Sequence, residues 1–208
     1  MSNRDAVDGG DTAGAFAGRD GDETGDAEAG ALAVVCGLPG VGKTTVAERI
    51  AAHVDGDILR TDVIRKELFE DPDYSDAETE AVYAELIDRA RERVADGDAV
   101  VLDATFADAR FRADVREMGE RAAESFDLVA VECDESVVER RIERRDGISD
   151  ADFDVYLHFK DVFDRIETDH VTVDNSGEEA ETFAQVDAAF GGESGGGKSG
   201  GGESGCAE

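Results

Sequence analysis

Eight residues, Gly37-Leu38-Pro39-Gly40-Val41-Gly42-Lys43-Thr44, have the types and spacing of a loop that cradles phosphate. Glycines there let successive backbone N–H groups turn inward around an anion without Cβ clashes. A helix opening at Lys43 would present its positive N-terminal end to the same charge. In the pattern G-x-x-x-x-G-K-[ST], the lysine reaches the β- and γ-phosphates and the hydroxyl of Thr44 is a ligand for Mg²⁺. With Thr45 in the same first turn, residues 37–45 are the expected ATP site. The pattern occurs a second time at Gly192-Glu193-Ser194-Gly195-Gly196-Gly197-Lys198-Ser199. No strand pattern precedes it and glycine follows where a helix should start, so composition accounts for that match.

Three further groups fit the chemistry of phosphoryl transfer. Asp62 and Arg65 are three apart and share a helix face. The carboxylate could accept the proton of an attacking substrate hydroxyl, and the arginine could hold a substrate anion or hydroxyl. The alternative is an N-cap aspartate beside a surface arginine. Asp103 follows the apolar run Val100-Val101-Leu102, a Walker-B-like arrangement that would place a carboxylate near the metal ion, directly or through water; it could equally just begin the next loop. Val137 to Arg145 carries four arginines on two helical turns. Arg141 and Arg145, four apart, could close over a triphosphate, or Glu139 and Glu143 could pair with the cluster at the surface. Arg110, Arg112 and Arg116 read equally as substrate contacts or as a solvated helix face. His158, His170 and Cys36 suggest no nucleophilic chemistry, and Phe153, Tyr156, Phe159 and Phe163 read as a packing stripe.

These residues need a scaffold, and the apolar patterning supplies one. Short runs at 31–36, 58–59, 99–102, 128–131 and 171–173 read as strands. Helices are expected over 43–53, 63–69, from Ser75 to Gly97, 109–123, 135–145, 151–166 and 178–190. Alternation of this kind indicates an α/β fold with a parallel sheet covered on both faces. Ligands then bind beyond the carboxyl ends of the strands, which is where the candidate residues fall. Residues 1–30 lack any apolar period and read as a disordered acidic tail. Residues 191–208 have the composition of a flexible linker.

Across its 208 residues the chain carries 52 acidic and 21 basic side chains, a formal charge of −31, and only four of the basic residues are lysine. Such a field disfavours a general binder of nucleic acid or anionic membrane. No apolar run is long enough to span a bilayer, and the N-terminus is acidic where a signal peptide would be basic, so a cytoplasmic location is expected. Three scattered cysteines indicate neither a disulfide framework nor a zinc site. The acid-rich, lysine-poor composition suits concentrated salt and looks like that of proteins from halophilic organisms.

Taken together, residues 37–44, Thr61 to Leu68, Val101 to Phe106 and Arg141 to Arg145 resemble the P-loop kinase family often labelled "AAA-family ATPase" or "predicted kinase". Relatives of that family include the kinase domains of polynucleotide kinases, gluconate kinases and zeta toxins. The resemblance runs from about Ala31 to Ser176. It implies a P-loop NTPase three-layer sandwich with a mostly parallel five-stranded sheet and a short helical lid, in a domain over 31–190. It also implies Mg-ATP and γ-phosphate transfer to a hydroxyl. Asp62 then matches the general base, Arg65 the substrate-contacting arginine, and Arg141 and Arg145 the lid arginines. Lys43, Thr44 and Asp103 complete the site. The expected acceptor is a small molecule and the expected state a monomer or small homo-oligomer. The alternatives are a 5′-hydroxyl polynucleotide kinase and a nucleotide-binding regulator or slow ATPase with no acceptor.

Overall fold

The computed structural model describes residues 28–144 and 150–192. Arg145, nearly all of both expected tails and residues 193–199 of the second glycine-rich match lie outside those residues. The chain runs β1 (Leu32–Cys36), α1 (Lys43–Val54), β2 (Asp57–Arg60), α2 (Thr61–Leu68), α3 (Asp76–Ala95), β3 (Val100–Asp103), α4 (Ala109–Ala122), β4 (Phe126–Glu132), α5 (Glu135–Arg144), α6 (Asp150–Val162), β5 (Val171–Asp174) and α7 (Glu179–Phe190). The sheet has the order β2-β3-β1-β4-β5, and every neighbouring pair is parallel.

β1 is central and buried along its whole length, as an unbroken apolar run requires when both sheet faces are covered. Its side chains alternate between two cores. Leu32, Val34 and Cys36 join Val82, Leu86, Leu102, Val115 and Leu128 under α3 and α4. Ala33 and Val35 join Val46, Ile50, Val101, Val129, Val138 and Val186 under α1, α5 and α7. The result is a three-layer α/β sandwich of the P-loop NTPase type. Among the described residues, no helix is long and apolar enough to cross a membrane.

Local signals set the helix ends. Ser75 caps α3 by accepting from the Glu78 N–H at 3.4 Å. No reciprocal capping-box bond forms, because the Glu78 carboxylate turns to the Asp73 and Tyr74 N–H groups and to Arg65. Gly97, with φ of +95°, closes the same helix as its position predicts. Of the expected aromatic stripe, Tyr156 is buried and stacks against Phe153, whereas Phe163 falls past the end of α6 and lies against Arg112. α6 itself stops at Val162, four residues short of the expected end. The chain beyond it lies against the loop that follows β3, where Asp164 donates its N–H to the Ala107 carbonyl and accepts from the Ala109 N–H.

Candidate active site

The loop between β1 and α1 is held at both ends of its turn. The Gly37 N–H donates to the Thr105 carbonyl, tying the loop to the segment after β3. Gly40 and Gly42 have φ of +82° and +96°, values that side-chain-bearing residues rarely adopt. Packing adds to the requirement. A Cβ on Gly40 would lie 2.9 Å from Val138 of α5, so helix α5 sits directly on the loop. Leu38 and Pro39 are half-exposed at the turn, Val41 is buried, and Thr45 is half-buried in the first turn of α1. Lys43 donates from Nζ to the Leu38 carbonyl at 2.9 Å, which folds its ammonium back over the loop. Burial lowers the Lys43 pKa to about 8, against the pull of the nearby Asp103 carboxylate.

Beside the loop, four side chains from four elements meet. Thr44 donates its hydroxyl to Asp103 Oδ2 at 2.7 Å. Asp103 is the last residue of β3 and only 6% exposed, held against Thr44 at the strand end. Arg60, the last residue of β2, places Nε 3.4 Å from Asp103 Oδ2 and 3.3 Å from Asp62 Oδ1, and reaches Thr44 Oγ1 through Nη2 at 3.4 Å. Its Nε is buried and makes no hydrogen bond, so contact with both carboxylates is electrostatic. Asp62 is exposed in the first turn of α2. Arg60 is the N-cap residue there, so Asp62 is no helix cap; it stands at the cleft with its carboxylate beside a guanidinium.

Arg65 faces another way. It is buried, pairs with Glu78 at 3.2 Å, donates to Thr79 Oγ1 at 3.2 Å, and lies 4.7 Å under the Tyr74 ring. The arginine expected to hold substrate is thus engaged as a brace between α2 and the start of α3. Of the lid arginines, Arg141 is half-buried and turns to the loop. Its Nη1 donates to Cys133 Sγ at 3.4 Å and lies 3.8 Å from where a Cβ on Gly42 would be. Arg140 and Arg144 are exposed.

Neither expectation for Arg112 holds. It is 6% exposed and points inward, its Nη1 donating to the Phe106 and Ala107 carbonyls and its Nη2 to those of Asp164, at 2.7 Å, and Arg165, at 3.3 Å. Its clue was its place on the buried face with Val115 and Gly119, where a solvated arginine would not sit. Arg110 pairs with Asp108, and Arg116 with Glu120 and the Asp169 carbonyl. The bend after β3 is fixed from the other side by Tyr83, whose hydroxyl accepts from the Phe106 N–H at 2.9 Å.

A divalent ion suits this donor set. Thr44 and Asp103 offer a neutral and an anionic hard oxygen, already in contact beside a loop built for phosphate. Magnesium takes few protein oxygens and completes its shell with phosphate and water. Among the described residues, no group of three or more His, Cys, Asp or Glu side chains forms a separate metal cage.

Comparison with known proteins agrees with this geometry. Over 136 residues the chain is 34% identical to Uncharacterized protein Rv2004c of Mycobacterium tuberculosis, and equally to Uncharacterized protein Mb2027c of Mycobacterium bovis. The match takes in 58% of this chain but only 27% of each relative, so the chain spans about a quarter of their length. Among solved structures, the fold matches a gluconokinase from Sinorhizobium meliloti 1021 (22% identity, TM-score 0.59, 79% of this chain and 95% of that one). It also matches the Mycobacterium tuberculosis APS kinase CysC in complex with AMPPNP and APS (19%, 0.62, 79% and 99%). A sugar kinase from Janibacter sp. HTCC2649 is similar as well (17%, 0.61, 76% and 93%). At these identities the likeness shows a shared fold. The family model AAA_33, an AAA domain, matches residues 32–166, from the first residue of β1 through the segment that Arg112 secures, and the chain belongs to that family.

Proposed function

We propose that this protein is an ATP-dependent phosphotransferase that moves the γ-phosphate to a hydroxyl of a small-molecule acceptor. The observation that carries the reading is the convergence of Thr44, Asp103, Arg60 and Asp62 beside Lys43, at the carboxyl ends of three adjacent strands. A bare nucleotide-binding loop needs Lys43, Thr44 and Asp103. It has no use for a second, exposed carboxylate placed across the cleft by β2. The sugar kinase, gluconokinase and APS kinase among the structural matches support an acceptor of modest size.

In this mechanism the backbone N–H groups of residues 40–45 and the Lys43 ammonium bind the β- and γ-phosphates. Thr44 and Asp103 would hold magnesium, which would offset phosphate charge. Asp62 orients the acceptor hydroxyl and takes its proton as the oxygen attacks; Arg60, 3.3 Å away, keeps that carboxylate aimed. Arg141 covers the loop from the α5 side and, with Arg145 as its proposed partner in this role, offsets charge that builds on the transferring group. Arg65 positions α2, and so Asp62, from below. Little covalent work is asked of the protein; placement and charge do most of it.

The test is a screen of sugars, sugar acids, nucleosides and a 5′-hydroxyl oligonucleotide for ATP-dependent phosphorylation in molar KCl. A phosphorylated small molecule is the expected product. With that acceptor, Asp62→Ala should lower turnover by about 10²–10⁴-fold while nucleotide affinity stays near wild type. ATP hydrolysis insensitive to both acceptor and Asp62 would instead identify an ATPase.

A further inference from the structure

The crest of the phosphate loop rests on a residue from the far edge of the sheet. Asn175 follows β5, and both its backbone and its side chain are engaged. Its N–H donates to the Glu132 carbonyl at 2.8 Å, and its carbonyl accepts from Cys133 Sγ at 3.3 Å. Its side-chain Nδ2 donates to the Val41 carbonyl at 2.7 Å, and its Oδ1 accepts from Thr182 Oγ1 at 2.8 Å. Because a carbonyl only accepts, the Val41 contact fixes which way the amide faces. Asn175 is 5% exposed and Thr182 is fully buried in the first turn of α7. Gly42 is shaped around this contact: a Cβ there would lie 2.1 Å from Asn175 Nδ2. The same residue also supports the lid side, since Cys133 bridges its carbonyl to Arg141.

A loop that binds phosphate through backbone N–H groups depends on those groups being aimed before the ligand arrives, and ordering them at binding costs affinity. The Val41 carbonyl and the Gly42 N–H belong to one peptide plane, so a donor fixed on the carbonyl also fixes the direction of the N–H. We propose that Asn175 is a positioning residue for the nucleotide: it orients the Val41–Gly42 peptide of the phosphate loop, and Thr182 orients its amide in turn. The inference rests on the reading of residues 37–44 as a nucleotide site and adds a support that reaches that loop from β5 and α7.

The test compares full-length wild type with Asn175→Ala, Asn175→Asp, Thr182→Val and Thr182→Ser, by calorimetric titration with MgADP well below each melting temperature. Hydrogen exchange of the peptide covering residues 37–46 is followed without nucleotide. Asn175→Asp places an acceptor against the Val41 carbonyl while still accepting from Thr182. It and Asn175→Ala should weaken binding about tenfold and speed exchange of the loop. Thr182→Val should have a smaller effect in the same direction, and Thr182→Ser, which keeps the hydroxyl, should match wild type. Variants that lose only melting temperature, with wild-type affinity and loop exchange, would make Asn175 merely structural and overturn the inference. If Asn175→Ala fails to fold, Asn175→Asp and Thr182→Val carry the same comparison. Wild type that gives no heat with MgADP would overturn the nucleotide reading itself, an outcome distinct from unchanged variants of a wild type that binds.

Discussion

At the scale of single residues, Lys43 links folding, pH and ligand. Burial favours its neutral form and sets its pKa at about 8, below the 10.5 of a free lysine. Between those values the unfolded chain holds a proton that the folded chain has released. The contribution of Lys43 to stability therefore rises with pH from about 8 to about 10.5. Bound phosphate reverses the preference by favouring the ammonium. Nucleotide binding should then take up almost no proton at about pH 7 and close to one at about pH 9, with affinity falling as pH passes 8. Calorimetry in two buffers of different ionisation enthalpy measures that uptake; zero uptake at the higher pH would mean that the lysine stays charged in the free protein. Lys43, Thr44 and Asp103 were legible in the sequence because their roles follow from chain-local context, a glycine pattern and a strand end. Arg65 was placed on the right helix, but its orientation depends on Glu78 and Tyr74, thirteen and nine residues further on, and no spacing rule predicts that engagement. Arg60 and Asn175 carried no motif at all. Each is simply the residue at or just past the end of a strand, β2 and β5.

At the scale of elements, strands and helices came through the patterning well because both sheet faces are buried and the apolar runs are nearly unbroken. What patterning cannot supply is strand order, or a terminus decided by a distant partner. The early end of α6 is such a case. The Asp164 and Arg165 carbonyls are taken by Arg112, which also holds the Phe106 and Ala107 carbonyls, and the Phe163 ring lies 5.2 Å from its guanidinium. One buried side chain thus joins the segment after the lid to the bend after β3, and that bend leads from Asp103. Arg112→Met keeps much of the volume and removes the donors. It should cost about 2–3 kcal/mol, the range for hydrogen bonds made by a charged group, because several carbonyls lose their partner together. Denaturant unfolding measures the loss, and hydrogen exchange should localise it to residues 104–109 and 163–170. The exposed Arg121→Met, which loses an ion pair with Glu117 one turn away, should change stability by under about 0.5 kcal/mol. Equal losses in the two variants would show that Arg112 holds nothing in place beyond its own helix.

At the scale of the whole molecule the governing quantity is the charge of −31. Two electrostatic effects oppose each other as salt is added. The surface ion pairs, such as Arg49–Asp187, Arg89–Glu67 and Arg116–Glu120, weaken as they are screened. Each is partly open to solvent, and pairs of that kind contribute only about 0.2–1 kcal/mol even in dilute buffer. Repulsion among the excess carboxylates is also screened, and it acts between every pair of like charges within a Debye length, about 10 Å at 0.1 M and about 3 Å at 1 M. With acidic residues outnumbering basic ones by more than two to one, the second effect wins and the compact state gains. Relief of each kcal/mol raises the melting temperature of a chain this size by about 2–4 °C. The melting temperature should therefore climb by several degrees between about 0.1 and 2 M KCl. Most of the rise should come early, where the Debye length shrinks fastest, and it should persist in the Asp187→Asn variant, which lacks the Arg49 pair. KCl is the informative salt, since sulfate would strengthen apolar burial in any protein and obscure the charge term. A melting temperature that falls steadily with KCl would mean that the ion pairs outweigh the repulsion, and the acidic surface would then need an explanation other than adaptation to brine.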